Sequence, residues 1–482
     1  MTDFSWAGLA PALPEIFLAF SGMVLLIAGV FRGNEGTQLI CWSAIGSFAL
    51  AAMFLLGLDW ERGEAFNGMF VIDRFAGFMK LFVLVGLMVS ISISIRYLEQ
   101  ENMARFEYPV LILFAGLGMM IMISANNLLT MYMGLELQSL SLYVLAAIQR
   151  RHNKCAEAGI KYFILGALAS GMLLFGSSLI YGFTGSVGFT EISATLSSTG
   201  ATIGVIFGMV FVLVGLAFKI SAVPFHMWTP DVYEGAPSSV TALFAIVPKI
   251  AAMALLIRLL FGPLGPIMAE WQQIIWFLSL ASMSLGAFAG LVQNNIKRLL
   301  AYSSIGNMGY ALIGVCAGTH EGVSAVIVYL VLYMIMTAGV FAIILTMRRG
   351  GAAVEQIEDL SGLSRNSPLM AYAMAILMFS MSGIPPMAGF FGKMLVFNAA
   401  ISSGMHVLAV LGVITSVVAA YYYLRVIKVM FFDEAADPFD YQVAFSKRAV
   451  MLLSVSFVLL FILSPDFLIE TSMNAASALF AG

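Results

Sequence analysis

Long apolar runs dominate the chain, and short polar connections separate them. Runs of about twenty apolar residues, the length that crosses about 30 Å of hydrocarbon, recur throughout. The pattern predicts fourteen membrane-spanning helices, at 11–31, 38–58, 73–96, 108–124, 127–148, 156–182, 200–222, 238–261, 271–292, 298–318, 322–347, 368–399, 404–431 and 449–469. Because these runs do not alternate between apolar and polar positions, they favour an all-α polytopic membrane fold over a β-barrel.

Composition agrees with this pattern. Of 482 residues 61% are apolar and 10% are charged, and the mean hydropathy of +0.98 excludes an ordinary soluble protein. The opening "MTDFSW" lacks the basic region of a secretory signal, so no cleaved leader is expected.

Basic residues are distributed unevenly between the two sides of the predicted bundle. Fifteen of 23 lie in alternate connections or at their edges: Arg32, Arg96, Arg105, Arg150, Arg151, Lys154, Lys297, Arg298, Arg348, Arg349, Arg365, Arg425, Lys428, Lys447 and Arg448. Only Arg62 and Arg74 lie on the opposite side. Since cytoplasmic loops are enriched in Lys and Arg, both termini are predicted to lie outside the cytoplasm.

The remaining six basic residues fall within spans, where a charge at the helix centre costs roughly 2.5 to 3.5 kcal/mol. Lys80 and Arg258 lie near the ends of their helices, so snorkelling to the interface or lipid contact is expected for them. Lys161 follows Glu157 by one turn and is able to form an ordinary interfacial pair with it, although a functional role is favoured.

Glu136, Lys219, Lys249 and Lys393 have no neighbour of opposite charge in their own spans. Their partners must therefore come from other helices or from water, and a functional role is predicted for all four.

Polar side chains form stripes at helical spacing in three spans: Tyr132, Glu136, Ser139 and Tyr143; Ser303, Asn307 and Tyr310; and Tyr329, Tyr333 and Thr337. One stripe alone would favour simple helix packing, because such groups hydrogen-bond between membrane helices. Three stripes beside buried charges favour a chain of side chains and water that relays protons. A lysine in a low-dielectric site releases its proton more readily, and an approaching carboxylate reverses this effect.

A proline interrupts the span that holds Lys219. Pro224 has no N–H for the carbonyl of Ile220, so the helix is predicted to break there.

The sequence around this break has a second, similar copy. "FKISAVP" at 218–224 resembles "FSMSGIP" at 379–385, an offset of 161 residues that crosses five spans. An odd number of spans inverts one copy relative to the other, which predicts two inverted five-helix repeats, each with a broken helix. The predicted division is 1–107, an N-terminal three-helix segment; 108–262 and 263–432, the repeats; and 433–482, the last span.

Four segments carry a resemblance to a known family: "MYMGLELQSLSLYVL", "VPFHMWTPDVYEGAP", "VPKIAAMALLIRL" and "SGIPPMAGFFGK". They resemble the antiporter-like membrane subunits of bacterial proton-pumping NADH:quinone oxidoreductase, respiratory complex I, over essentially all fourteen spans. "PDVYEGAP" is typical of the subunit N family. The sister subunits L and M and the subunits of sodium/proton antiporters diverge after the aspartate.

The resemblance implies roles for five residues in proton translocation. Glu136 and Lys219 match a fifth-helix glutamate and its seventh-helix lysine partner, and Lys161 matches a sixth-helix lysine that neighbours this pair. Lys249 matches the central lysine of the eighth helix, and Lys393 matches a twelfth-helix lysine near the exit side.

The resemblance also implies the setting of this activity. The chain is expected to be a translocase subunit in a bacterial inner membrane, with both termini on the periplasmic side. FMN, iron-sulfur clusters and quinone are expected in partner subunits, with no cofactor on this chain. The expected partners are other membrane subunits of the complex, including a sister antiporter-like subunit and small membrane subunits, together with lipid; nucleic acid is not expected.

Motifs for redox and metal chemistry are not found in the sequence. It has no GxGxxG after a strand, no Walker-type loop and only the scattered Cys41, Cys155 and Cys316. The histidines lack ligand spacing, so no metal site is expected, although His226 is a further candidate for proton handling. Three alternatives stay open: a subunit of a multi-subunit sodium/proton antiporter, a self-standing secondary transporter, and a structural scaffold.

Overall fold

The chain folds as a bundle of helices with two short hairpins. The computed structural model describes residues 6–440 and 443–480. Within them the α-helices, labelled α1 to α20 in chain order, are Leu13–Arg32, Thr37–Leu56, Arg74–Gln100, Glu107–Ile123, Leu128–Ala146, Asn153–Thr184, Phe189–Thr199, Ile203–Ile220, Trp228–Gly235, Ser238–Ile246, Pro248–Phe261, Met268–Gly290, Ile296–Cys316, His320–Ile344, Leu363–Asn366, Pro368–Ser382, Ala388–Ser402, His406–Phe432, Phe445–Leu460 and Asp466–Ser477. The antiparallel hairpins are β1–β2, Gly63–Ala65 with Phe70–Ile72, and β3–β4, Arg348–Arg349 with Ala352–Ala353.

The predicted all-α membrane fold is confirmed. Within the described residues, twelve helical segments are long and apolar enough to cross a membrane. Three shorter apolar helices, α4, α16 and α17, correspond to the remaining two predicted spans. The terminal residues 1–5 and 481–482 lie outside the described part of the chain. The inversion of the repeats and the division into four segments stay predictions.

Three predicted elements differ in detail from the observed ones. The span predicted at 368–399 is two helices, α16 and α17, because consecutive prolines interrupt it at Pro385 and Pro386. The span predicted at 449–469 ends earlier as an α-helix, at Leu460, and a separate helix, α20, follows it. The span at 238–261 is divided into α10 and α11 before Pro248.

The middle of the bundle consists of α10 and α11 together with α13 and α14. The most apolar 18-residue stretch of α10 and α11 is entirely buried, and 94% of the corresponding stretch is buried in α13 and in α14. In contrast, only 33% and 28% of the most apolar stretches that include α1 and α19 are buried. The central helices are therefore shielded from lipid, and they carry Lys249 and two of the three polar stripes.

Small residues bring α4 and α5 into close contact. A Cβ placed on Gly134 would lie 2.7 Å from the backbone nitrogen of Met122, so a larger residue would push the two helices apart. Such close approach through glycines is a common way to pack membrane helices. It fixes the position of α5, the helix that carries Glu136.

Lys80 and Arg258 are both buried within the protein against carboxylates, which contradicts the expected lipid contact. The ammonium of Lys80 is fully buried and lies 2.6 Å from Glu15 Oε1, although not in the geometry of a well-aligned hydrogen bond. Arg258 binds both carboxylate oxygens of Asp73 at 2.9 Å and donates to the carbonyl of Ile123 at 2.8 Å. The partners come from distant segments, which explains why local sequence did not reveal them.

Glu15→Gln is expected to destabilise the protein strongly, because it leaves the Lys80 ammonium buried without an anionic partner. Breaking a buried pair in this way costs about 3–5 kcal/mol. The measurement is the melting temperature of the purified protein in detergent. The matched control is Glu64→Gln, which breaks the exposed Arg62–Glu64 pair and is expected to cost about 0–1 kcal/mol. Equal melting temperatures for the two variants would contradict a stabilising role for the buried pair.

Candidate functional site

The candidate lysines lie at or near three breaks in the helices. Lys219 is the second-to-last residue of α8, Lys249 follows the break between α10 and α11, and Lys393 lies in α17 after the break that ends α16. All three side chains are buried. Breaks at membrane depth leave backbone groups without their helical partners, and these groups must be satisfied by side chains or water.

The predicted break after Lys219 is confirmed. The helix ends at Ile220, and Ser221 adopts a left-handed conformation with φ 63°. The N–H of Ala222 then donates to the carbonyl of Ala217 at 2.8 Å. The indole of Trp228 donates to the carbonyl of Phe218 at 2.9 Å, so one of the freed carbonyls has a side-chain partner.

Lys219 contacts the polar stripe of α5. Its ammonium donates to Ser139 Oγ at 2.7 Å and to the hydroxyl of Tyr143 at 3.2 Å, and it lies 5.4 Å from the centre of the Tyr143 ring. The stripe predicted from helical spacing therefore faces Lys219. The partners of this buried cation are neutral hydroxyls.

Glu136 lies on the same helix, one turn before Ser139, but it does not touch Lys219. No ion pair within 4 Å joins these two residues, both of which lie in the described part of the chain. Glu136 Oε1 is buried and has no hydrogen-bond partner in the described part of the chain. The structure thus holds the glutamate and the lysine near each other but not in direct contact.

Lys249 is held at the start of α11. Its ammonium bonds to the hydroxyl of Ser304 on α13 and lies 5.1 Å from the centre of the Tyr233 ring. Ser304 also neighbours Tyr333 on α14. As with Lys219, the polar partner is a hydroxyl on another helix.

Lys393 contacts the second broken helix. Its ammonium donates to the carbonyl of Ser382, the last residue of α16, at 2.9 Å and to Ser416 Oγ at 2.8 Å. It also lies 4.9 Å from the centre of the Tyr310 ring. A cation at a helix C-terminus is stabilised by the helix dipole, so the break supplies part of the site.

The polar stripes of α13 and α14 meet between the lysines. The hydroxyl of Tyr329 donates to Asn307 Oδ1 at 2.7 Å, and Asn307 Nδ2 donates to the carbonyl of Ser303 at 2.7 Å. The hydroxyls of Ser303 and Tyr423 lie 2.6 Å apart. These contacts form a continuous hydrogen-bonded group in the centre of the bundle.

Sequence reasoning missed the contribution of α18 to this group. Ser416 contacts Lys393, Thr415 accepts from Tyr310 at 3.4 Å, and Tyr423 contacts Ser303. Ser416 and Tyr423 are seven residues apart, a spacing that places them on one helical face. This seven-residue spacing of hydroxyl-bearing residues, in an otherwise apolar run, is the sequence signal that could have identified the polar face of α18.

Lys161 lies apart from the three buried lysines, with 42% of its side chain exposed. It pairs with Glu157, as the sequence suggested, and with Asp231, each at 2.7 Å. Asp231 also accepts from Arg298 at 2.8 Å, and Glu234 pairs with Arg298 at 3.2 Å. Burial acts to raise the pKa of Asp231, but the hydrogen bonds from Lys161 and Arg298 outweigh it and lower that pKa. The acidic patch of "PDVYEGAP" is thus held in a cluster of ion pairs.

Two observations bear on metal binding and on His226. Within the described residues, no group of three or more His, Cys, Asp or Glu side chains is arranged to hold a metal ion. His226 Nδ1 is buried without a hydrogen-bond partner, in the connection after the first break.

Comparisons with known proteins agree with this architecture. Residues 125–419 match the family described as NADH:quinone oxidoreductase/Mrp antiporter, TM. A relative from Parvibaculum lavamentivorans, named NADH-quinone oxidoreductase subunit N, is 57% identical over 469 residues, which cover 97% of each chain.

Solved structures show the same relationship. A chain in respiratory complex I from Thermus thermophilus with bound Aureothin has a TM-score of 0.82 at 32% identity, and the match covers 95% of this chain and 98% of that one. A chain of the Mrp complex from Dietzia sp. DQ12-45-1b has a TM-score of 0.85 at 22% identity, over 99% and 98% of the two chains, which shows similarity of fold alone. Because identity above 50% extends over nearly its whole length, the chain belongs to the subunit N family of NADH-quinone oxidoreductase, within the NADH:quinone oxidoreductase/Mrp antiporter family of membrane proteins.

Proposed function

We propose that this chain translocates protons across a bacterial inner membrane along a buried axis of Glu136, Lys219, Lys249 and Lys393, with Lys161 at its exposed end. One observation is the main support for the proposal. Lys219, Lys249 and Lys393 have hydroxyl, carbonyl and aromatic partners where a static ion pair would have a carboxylate. Such partners tolerate both a charged and a neutral lysine, since a hydroxyl both donates and accepts hydrogen bonds.

The contrast with Lys80 supports this interpretation. Lys80 is equally buried but has Glu15 as a direct partner at 2.6 Å, and that pair favours one charge state. A relay group must gain and lose a proton within each cycle, so permanent pairing would be a disadvantage. Lys219, Lys249 and Lys393 avoid such pairing, whereas Lys161, at the exposed end, is paired with Glu157 and Asp231.

Glu136 supplies an adjustable charge for the first step. A carboxylate that moves towards Lys219 favours the protonated lysine, and one that moves away favours release of the proton. The buried oxygen of Glu136, which has no hydrogen-bond partner, is free to change its contacts in this way. The hydrogen-bonded group around Asn307 and Tyr329 then offers a path between Lys249 and Lys393 that water would complete.

We propose that the driving reaction takes place in other subunits of the complex. NADH oxidation and quinone reduction would use FMN, iron-sulfur clusters and quinone held there, and this chain would respond to movements of its membrane neighbours. A sodium/proton antiporter subunit is the main alternative, because the Mrp chain shares the fold. Proton transport that depends on NADH and not on sodium would separate the two functions.

Lys219→Ala is expected to lower NADH-driven proton transport by about tenfold or more, because loss of a positioned proton-transfer group typically slows the transfer step by about 10²–10⁴-fold. The measurement is acidification of inverted membrane vesicles after addition of NADH. The control is Lys428→Ala, which removes an exposed lysine paired with Asp433 and should leave transport unchanged. Normal transport by a fully assembled Lys219→Ala complex would overturn the proposed axis.

Ser139→Ala is expected to lower proton transport several-fold, because it removes the shortest hydrogen bond of Lys219. Leaving a buried polar group without its partner costs about 1–3 kcal/mol. Ser141→Ala is a matched control. Ser141 is buried on the same helix, and among the described residues its hydroxyl bonds only to the carbonyl of Leu137, at 2.9 Å. The same assay, normalised to the amount of assembled complex, compares the two variants. Equal transport by both would argue against a role for the Ser139–Lys219 contact.

A further inference from the structure

A groove of about 400 Å³ lies between α4, α5 and α6, beside the proposed axis. Arg105, Glu107 and Arg150 lie at one end, on the side of the chain that the basic residues predict to be cytoplasmic. The walls are mainly apolar, and Tyr143 lines the groove among them. We call this feature the α4–α6 groove.

The walls of the α4–α6 groove lie on the outer surface of the helical bundle. Val144, Ile160 and Phe163 are each more than half exposed, although they lie in helices that span the bilayer. A recess at this depth does not hold water against apolar walls, so a hydrocarbon chain is the occupant that its surface fits.

The polar end of the groove carries charges that have no partner within the described residues. The exposed side chains of Arg105 and Arg150 make no ion pair there, whereas Arg298 and Lys428 on the same predicted side do. Glu107 Oε2 is buried and has no hydrogen-bond partner. The groove thus presents two cations and one carboxylate to whatever lies against it.

We propose that the α4–α6 groove binds a phospholipid with a primary amine in its headgroup, such as phosphatidylethanolamine. Arginine binds phosphate oxygens in a bidentate geometry, and basic clusters at the ends of membrane helices recognise lipid headgroups. The carboxylate of Glu107 is placed to accept the ammonium of the same headgroup. An anionic lipid without an amine would leave Glu107 unpaired and would be repelled by it.

Tyr143 connects the α4–α6 groove to the proposed axis. Tyr143 lines the groove and also bonds to Lys219 at 3.2 Å, so an acyl chain in the groove would separate this contact from the bilayer. This consequence rests on the proposed function, whereas lipid binding itself does not. Binding and proton transport are therefore tested by separate measurements.

The test uses the intact complex, reconstituted in vesicles of phosphatidylethanolamine and phosphatidylglycerol with a trace of phosphatidylethanolamine that carries a photoreactive group in its acyl chain. Crosslinks are mapped by mass spectrometry. Labelling is expected on the peptides that contain Val144, Ile160 and Phe163. Replacing part of the phosphatidylglycerol in the vesicles by unlabelled phosphatidylethanolamine should reduce this labelling, and the opposite replacement should increase it.

Variants make the test specific. Combined Arg105→Ala and Arg150→Ala substitutions should lower labelling of the groove by about tenfold or more, because both phosphate contacts are lost. Glu107→Gln should retain labelling but abolish the preference over phosphatidylglycerol. Arg151→Ala is the matched control, since Arg151 is the exposed neighbour of Arg150 and does not line the groove, and it should have no effect.

Two results would overturn the proposal. Labelling of the exposed residues Val413 and Val417 on α18 without labelling of the groove would show that a neighbouring subunit covers it. Labelling of the groove that does not change with the lipid composition or with the substitutions would show that only non-specific boundary lipid is present. Neither result depends on proton transport, so failure here is distinguishable from failure of the proposed axis.

Discussion

The cost of placing a charge in hydrocarbon is the constraint on which this structure depends. An ionised side chain inside a bilayer must find a partner, and the fold supplies partners of two kinds. Lys80 and Arg258 have carboxylates, Glu15 and Asp73, that neutralise them directly. Lys219, Lys249 and Lys393 have hydroxyls, carbonyls and aromatic rings. The first kind of partner connects distant helices, and the second leaves the lysine without a fixed opposite charge, as the proposed function requires.

Broken helices make the second kind of partner available. A continuous membrane helix uses its own carbonyls for its hydrogen bonds, whereas a break releases several of them at mid-membrane depth. One of these carbonyls, that of Ser382, accepts from Lys393, and another, that of Phe218, accepts from Trp228. The prolines near the breaks therefore do more than interrupt the helices, because they also free backbone carbonyls to accept hydrogen bonds. They help place polar backbone beside the lysines without exposing it to lipid.

Much of this organisation was predictable from local patterns. The apolar runs identified the helices, and Pro224 identified the first break, because proline has a strong local effect on a helix. The same rule applied to Pro248 would have identified the break before Lys249. The stripe containing Ser139 and Tyr143 was correctly placed on one face, since helical periodicity is a property of a single segment.

The sequence by itself determined the membrane class, the position of most spans and the family, because each depends on composition, on local periodicity or on a short motif. Only the tertiary structure decided which charges are buried and which are paired. Glu15 and Lys80 are 65 residues apart in the chain yet 2.6 Å apart in space, and Lys219 meets Ser139 instead of Glu136. Which residues pair depends on how the helices pack against each other, and the periodicity of one helix does not identify a partner residue on another helix.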